Sequence, residues 1–217
     1  MQNFVFDFAT LHGFGSAFVD FLALRKRILV DGLGWDIPHD EVLEMDQYDN
    51  PTAHYSIVTI DGRVVAGART MATSARWGET TCMLRDAAEG RLTGFVPGLY
   101  DPSMTSPTLW ECTRLVIADD LQDHGLRLQT LALLVDGLVR AAAANGGTDL
   151  ISLSPLPLQR ALKGLGHDVR RISDPYTGVE DGRKYAVMTM PAVRQLERLS
   201  TIDTTLSARR QALHAAE

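Results

Sequence analysis

Two runs of β-branched and apolar residues, separated by an Asp-Gly pair, constrain the fold of this chain most strongly. The runs cover residues 55–60 and 64–73, and Asp61 and Gly62 lie in the gap between them. An Asp-Gly pair favours the tight turn of a β-hairpin, because both residues tolerate the positive φ angles that this turn requires. The sequence therefore predicts a hairpin that forms part of a larger sheet.

The segments around this hairpin alternate between helical and extended patterns. Residues 17–30 carry apolar residues at helical spacing, and Gly32 and Gly34 end the pattern, whereas residues 38–50 are polar and acidic like a loop. Further strands are predicted at residues 108–117, 149–153, 169–172 and 184–190, and further helices at residues 125–144 and 158–165. This order predicts an α/β (α+β) fold with a mixed, twisted central sheet and helices on both faces.

Length, charge and hydropathy narrow the class of protein. The 217 residues suit one domain, assigned to residues 1–190, followed by a helical tail at residues 191–217. No apolar run is long enough to cross a bilayer, and the first residues do not resemble a signal peptide, so we expect a cytoplasmic protein without a membrane segment. The formal net charge of -6 argues against a general nucleic-acid binder.

The cysteines give no indication of a metal site. Cys82 and Cys112 have no further cysteine or histidine at metal-ligand spacing, so no metal is expected. In a reducing compartment they are expected to be free thiols. A nucleophilic role for Cys112 is the weaker alternative, because its neighbours predict a strand and no histidine stands beside it.

Several charged residues lie where their neighbours predict a buried element or form an acidic loop. They are Arg25, Arg69, Glu111 and Arg114, with Asp46 and Asp49 as possible partners. A buried charge is costly unless an opposite charge compensates it, so the sequence predicts a semi-buried network of alternating charge. Each residue alone is compatible with a purely structural ion pair.

Strand alternation makes a further prediction for residues 108–117. If side chains alternate strictly, Glu111 and Thr113 point to one face, whereas Cys112 and Arg114 point to the other. The lone Ser152 within the apolar strand at residues 149–153 is a second polar position of interest.

Together, these charged residues resemble the signature of the LuxI-type acyl-homoserine-lactone synthases, also called autoinducer synthases. The resemblance rests on Arg25, Gly34-Trp35, the acidic segment from Glu44 to Asp49, Gly67 to Arg69, and Glu111 to Arg114. Three positions depart from the usual family pattern: Leu29 replaces a Phe, Arg85 follows Met83-Leu84 where the family usually has a Phe, and Thr113 replaces a Ser. The first two changes are expected to reshape the substrate pocket more than the reaction.

The resemblance implies a GNAT-like acyltransferase fold with a V-shaped cleft, and a quorum-sensing function. In the implied reaction, the amine of S-adenosylmethionine attacks an acyl thioester, and lactonisation then releases methylthioadenosine. S-adenosylmethionine and the acyl thioester are both substrates, so no permanently bound cofactor is expected. The acyl donor is either acyl-ACP or acyl-CoA. An acyltransferase acting on another amine, or a non-catalytic homologue that binds S-adenosylmethionine, are the alternatives.

The resemblance also implies roles for individual residues. Glu111, Arg69 and Arg25 are the expected catalytic residues, with Glu111 as the base that deprotonates the amine. Residues expected to bind S-adenosylmethionine are Arg25, Trp35, Asp46, Asp49, Arg69 and Arg114. Residues expected to contact the acyl chain are Ser152, Met83, Leu84 and Leu153. Four basic residues that cluster in sequence are expected to dock an acyl carrier protein, unless they form an ordinary solvated face: Arg160, Lys163, Arg170 and Arg171.

Overall fold

The computed structural model describes residues 1–195. In chain order, its helices and strands are β1 Gln2–Asp7, α1 Ala17–Arg25, β2 His54–Ile60, β3 Arg63–Ala72, α2 Met83–Ala88, β4 Leu109–Ile117, α3 His124–Ala144, β5 Asp149–Pro155, α4 Leu156–Gly164, β6 Arg170–Arg171, β7 Tyr176–Thr177 and β8 Lys184–Pro191. The π-helical segment Lys26–Gly32 continues α1. The tail predicted at residues 191–217 lies outside the described residues from 196 onwards, and Pro191 itself ends β8.

All eight strands belong to one mixed sheet. Its order is β1-β2-β3-β4-β5-β8-β6, with β7 also paired to β8, and β4 and β5 are parallel whereas the other pairs are antiparallel. Helices cover both faces: the Tyr55 ring packs against Phe21 of α1, whereas the hydroxyl of the next residue, Ser56, donates to a carbonyl of α3. The predicted architecture is therefore confirmed.

The sheet divides between β4 and β5. These strands pair at only three positions, the last being Glu111 with Ile151. In the part of the chain that the structure describes, the two strands do not pair beyond this point, although β4 continues to Ile117 and β5 to Pro155. The result is the V-shaped cleft, with Glu111 at its vertex.

The hairpin and the first helix follow their sequence signals. Asp61 and Gly62 have φ angles of 50° and 80°, as the predicted tight turn requires. Gly67 of β3 allows α1 to lie close to the sheet, because a Cβ at this position would overlap the Phe21 ring. This close approach brings the C-terminal end of α1, with Arg25, against the centre of the sheet.

The sequence patterns did not reveal β1 and α2. β1 is an edge strand with one buried residue, Phe6, so it lacks the alternation that marks a half-buried strand. α2 has six residues, which is too short for helical periodicity to be visible. Neither was predicted, and α2 proves to be part of the candidate site.

No helix within residues 1–195 is long and apolar enough to span a membrane.

Strict alternation along β4 was the wrong expectation at Arg114. Arg114 has a φ angle of 56°, and the pairing of β3 with β4 shifts register between Gly67 and Arg69. A positive φ at a residue that is not glycine rotates its side chain away from the strand pattern. Arg114 therefore reaches the same charged network that Thr113 contacts, instead of the opposite face.

Candidate active site

A buried network of three arginines and three carboxylates lies between α1 and the sheet. The arginines are Arg25 of α1, Arg69 of β3 and Arg114 of β4, and the carboxylates of the loop before β2 are Glu44, Asp46 and Asp49. Formal charges balance within the network, which offsets the cost of removing each ion from water. The predicted convergence of these charges is present in the structure.

Arg25 joins the helix to the acidic loop. Its Nη1 and Nη2 atoms donate to the two carboxylate oxygens of Asp49, both at 2.9 Å, and its Nε donates to Glu44. The side chains of all three residues are completely buried. This bidentate geometry holds the loop in one register against α1.

Arg69 occupies the centre of the network. Its Nη1 lies 2.5 Å from Asp46 Oδ1 and 2.9 Å from Asp49 Oδ1, and its Nε donates to the Thr113 hydroxyl at 3.1 Å. Burial opposes ionisation of Asp49, but the charges of Arg69 and Arg25 outweigh it and hold the pKa of Asp49 well below its usual range. Asp49 and its two arginine partners, Arg25 and Arg69, are therefore ionised at neutral pH.

Arg114 closes the network at its most exposed edge. Its Nη2 lies 2.7 Å from Asp46 Oδ2, and its Nε lies 3.2 Å from Glu44 Oε1. The Arg114 side chain is 9% exposed, whereas those of Arg25 and Arg69 are 0% exposed. A small charged molecule would therefore meet Arg114 before it met either of the other arginines.

Glu111 lies beside this network without an ion pair to it. Its carboxylate accepts the backbone N–H groups of Met83 and Leu84, both at 2.8 Å, and so caps the first turn of α2. Burial raises the pKa of Glu111 to about 7, more than these N–H groups and nearby Arg69 lower it. Glu111 forms no salt bridge with Arg25 or Arg69 among the described residues.

Two further buried residues connect α2 to the network. The Tyr48 hydroxyl donates to Asp86 of α2 at 3.0 Å, and the Tyr48 ring lies 5.5 Å from the Arg69 guanidinium carbon. Asp86 also pairs with Arg91 at 2.9 Å. Sequence reasoning did not select Tyr48, Asp86 or Glu44 as site residues. Glu44 and Tyr48 had a local signal, because both lie in the acidic segment from Glu44 to Asp49, whereas Asp86 had none.

Trp35 contacts the C-terminal half of the sheet. It follows the π-helical segment, is half-buried, and donates its indole N–H to Asp181 at 3.2 Å. Its ring also lies 6.4 Å from the Tyr185 ring, between centroids. No member of the charged network bonds to the Trp35 side chain among the described residues.

An apolar cavity that opens to solvent lies on the opposite side of β4 and β5, against α3 and α4. Its lining includes Ser152, Leu158 and Cys112. Burial raises the pKa of the Cys112 thiol to about 12, which disfavours the nucleophilic alternative.

The other residues expected to contact the acyl chain lie elsewhere. Leu84 is part of a second apolar cluster, against which Leu153 packs, and Met83 packs against the main core. None of these three lines the cavity. The structure therefore separates Ser152 from the remainder of the predicted set, because α2, which carries Met83 and Leu84, packs on the Glu111 side of the sheet.

The four basic residues expected to dock a carrier are all exposed. Arg160 and Lys163 lie on α4, and Arg170 and Arg171 form β6. Arg170 pairs with Asp168 at 2.7 Å, so part of its charge is compensated locally. Residues 1–195 contain no group of three histidine, cysteine, aspartate or glutamate side chains placed to hold a metal ion.

The fold and the charged cleft define a class first. The CoA-dependent acyl-homoserine lactone synthase BjaI, solved with SAM and isopentyl-CoA, has a TM-score of 0.68 at 19% identity, over 94% of this chain and 88% of that chain. An acyl-CoA N-acyltransferase from Pseudomonas aeruginosa has a TM-score of 0.54 at 18% identity, over 87% of this chain and 97% of that chain. The fold is therefore that of the GNAT-like acyltransferases.

Sequence comparison then gives the family. Residues 15–198 match the autoinducer synthase family. An acyl-homoserine-lactone synthase from Acinetobacter nosocomialis is 27% identical over 165 residues, which are 72% of this chain and 83% of that protein. The chain belongs to the autoinducer synthase family. It is an acyltransferase enzyme, an acyl-homoserine-lactone synthase.

Proposed function

We propose that this enzyme makes its lactone signal from S-adenosylmethionine and an acyl thioester, with Glu111 as the base. The substrate amine forms an amide bond to the thioester carbonyl, and the thiol leaves. The methionine carboxylate then attacks its own γ-carbon, closes the lactone, and expels methylthioadenosine from the sulfonium. The second step is intramolecular, so positioning of the substrate supplies much of its rate.

One observation carries the role of Glu111: a carboxylate with a pKa near 7 lies at the vertex of the cleft. The amine must lose a proton before it attacks, and its pKa in free amino acids is about 8. A base whose pKa lies near the working pH is well matched to that transfer. Because Glu111 is 1% exposed, we propose that it acts through one water molecule.

The network supports a positioning role for Arg25 and Arg69 rather than direct contact with the substrate. Both guanidinium groups are completely buried, and their donors are engaged by carboxylates and, in Arg69, also by the Thr113 hydroxyl. We assign the contact with the substrate carboxylate to Arg114, at the exposed edge. Asp46 and Asp49 then brace the arginines, and Asp46, 8% exposed, also faces the positively charged substrate.

Two substrate regions remain to be assigned: the adenine and sulfonium of S-adenosylmethionine, and the acyl chain. The indole of Trp35 offers a flat face for the adenine or the sulfonium of S-adenosylmethionine. The acyl chain is assigned to the apolar cavity, with Ser152 beside it. Where β4 continues beyond its pairing with β5, near residues 115–117, we propose that backbone N–H groups stabilise the thioester oxyanion.

We propose acyl carrier protein as the donor's carrier. The support is the exposed basic set on α4 and β6 of a protein whose formal net charge is -6, because such a set attracts an acidic partner. We propose that the reaction takes place in the cytoplasm and involves no nucleic acid. Acyl-CoA is the second candidate donor, and the assay below distinguishes the two.

The test is a product analysis. The protein is mixed with S-adenosylmethionine and matched acyl-ACP and acyl-CoA donors, and mass spectrometry follows methylthioadenosine and acyl lactone. We expect both products in equal amounts, faster with acyl-ACP. Acylated amine without methylthioadenosine would instead identify an acyltransferase for another amine, and binding without turnover would identify a non-catalytic homologue.

A further inference from the structure

The Trp35–Asp181 hydrogen bond joins parts of the chain that are 146 residues apart. Trp35 follows α1, which packs on β2, β3 and β4, whereas Asp181 lies in the turn between β7 and β8. These groups of strands stand on opposite sides of the division between β4 and β5. The contact therefore links the two halves of the sheet that form the cleft, and we call it the Trp35–Asp181 clasp.

The turn that carries Asp181 is shaped to present its carboxylate. Oδ1 accepts the backbone N–H of Arg183 at 3.0 Å, and Oδ2 accepts the Tyr185 hydroxyl at 2.5 Å in addition to the Trp35 indole. Gly178 gives the room, because a Cβ there would lie 3.1 Å from Asp181 Oδ1 and 3.0 Å from the Tyr185 ring. Both carboxylate oxygens are thus oriented before Trp35 reaches them.

The clasp is also electrostatically favourable. Burial opposes ionisation of Asp181, but hydrogen bonds from Tyr185, from the Arg183 backbone and from Trp35 outweigh it and lower the pKa of Asp181. A hydrogen bond from a neutral donor to an ionised carboxylate is stronger than one between neutral groups. Trp35, by contrast, lies in a segment between Gly32 and His54 that has no helix or strand of its own.

We propose that Asp181 is a positioning residue for S-adenosylmethionine, acting through the indole of Trp35. The inference rests on the proposed function, in which Trp35 covers this substrate. The clasp holds the indole against the C-terminal half of the cleft, so the substrate binds to a ring that is already oriented and pays less for ordering it. Losing the clasp weakens binding of S-adenosylmethionine and leaves the acyl donor site unchanged.

The contact itself is tested by NMR, independently of activity. The chain has three tryptophans, so its spectrum has three indole N–H signals, which single Trp→Phe variants assign. Asp181→Ala should move the Trp35 signal and speed its exchange with water. The signal of Trp110, whose indole donates to the Pro107 carbonyl at 3.1 Å, should stay in place. An unmoved Trp35 signal would overturn the clasp.

Binding then tests its consequence, by calorimetry with S-adenosylmethionine. Asp181→Ala and Trp35→Phe should each raise Kd about fivefold to tenfold, the cost expected for ordering one side chain on binding. The double variant should bind within about twofold of Trp35→Phe alone, because Asp181 acts through that N–H. Glu180→Ala, an exposed acid in the same turn, should bind like the wild type.

Each outcome separates the clasp from the reaction. Effects that add in the double variant, or an unchanged Kd in Asp181→Ala, would overturn the clasp while lactone formation by the wild type stands. A wild type that binds S-adenosylmethionine but makes no lactone would overturn the proposed reaction, and the Kd series would still decide the clasp. A wild type that does not bind S-adenosylmethionine would overturn both.

Discussion

The two sides of β4 differ in what holds them together. On one side, Thr113 and Arg114 contact a network in which every arginine is paired with carboxylates. On the other side, Cys112 lines a cavity that is largely apolar and open to solvent. Ion pairs have specific partners and geometry, whereas apolar contacts depend mainly on shape and area.

This difference predicts on which side of β4 a substitution should have the larger effect on stability and activity. Removing one member of the network leaves an opposite charge buried without compensation, which is costly in stability and disturbs every neighbour. Removing one small group from the cavity changes its volume locally. We therefore expect large effects on the charged side, and small effects that concern substrate choice on the apolar side.

Glu111→Gln should have the largest effect of any substitution on the charged side. Glutamine keeps the shape, and its carbonyl can accept one of the two α2 N–H groups, but its amide does not accept the amine proton. We expect kcat to fall about a hundredfold or more, the range typical of general base removal. A variant with more than about a tenth of wild-type turnover, measured as methylthioadenosine release, would remove Glu111 from the mechanism.

Arg69→Ala should affect both activity and stability. Asp46 and Asp49 would lose their shared partner in a fully buried site, so we expect a loss of about 3–5 kcal/mol in unfolding free energy. Turnover should fall more than about tenfold in protein that remains folded. Denaturant unfolding and circular dichroism give the measurement. Arg63→Ala, which breaks an exposed pair with Asp120, is the control and should cost less than about 1 kcal/mol.

The raised pKa of Glu111 predicts a pH-dependent stability. The folded-state value is about 7 against an ordinary 4.5, so the folded protein binds this proton more tightly than the unfolded chain. The resulting stabilisation is complete below pH 4.5 and is lost as pH rises through 7. Glu111→Gln should therefore gain about 1–3 kcal/mol relative to wild type between pH 5 and pH 8. Parallel stability curves of the two proteins would contradict the raised pKa.

Ser152→Ala should have the smallest effect. Ser152 lines the cavity and its hydroxyl accepts from Ser154 at 2.9 Å, so alanine removes one polar group without a large void. We expect kcat/KM to change less than about threefold for an unsubstituted acyl donor, and somewhat more for a 3-oxo donor, whose additional carbonyl can accept a hydrogen bond from the hydroxyl. Equal changes for both donors would mean that Ser152 only packs against its neighbours.

The sequence anticipated the network but not its surroundings. Arg25, Asp46, Asp49 and Arg69 were predicted to converge because charges in apolar segments require partners, and they do. The rotation of Arg114 was not predictable, because a positive φ at an arginine comes from the register shift against β3. Tertiary packing determines the orientation of the Arg114 side chain, and no local sequence pattern predicts it.

Contacts made by short or distant elements were also missed. The partner of Glu111 is α2, whose six residues are too few for a periodic signal. Met83 and Leu84 were expected to contact the acyl chain. They lie elsewhere because the sequence of α2 does not show on which side of the sheet this helix packs. Asp181 contacts Trp35 across 146 residues, and only the fold brings the two together.

The proposed role of Glu111 as the base is tested most directly by titrating the Glu111 carboxyl group. Carbon-13 NMR of the side-chain carboxyls, with Glu111 assigned by its loss in Glu111→Gln, follows the resonance from pH 4 to pH 9. We expect a midpoint at about 7 in the free enzyme, because the carboxyl is buried at the vertex of the cleft. A midpoint near the ordinary value of 4.5 would contradict it, since the group would then be a weak base without the shift that this site imposes.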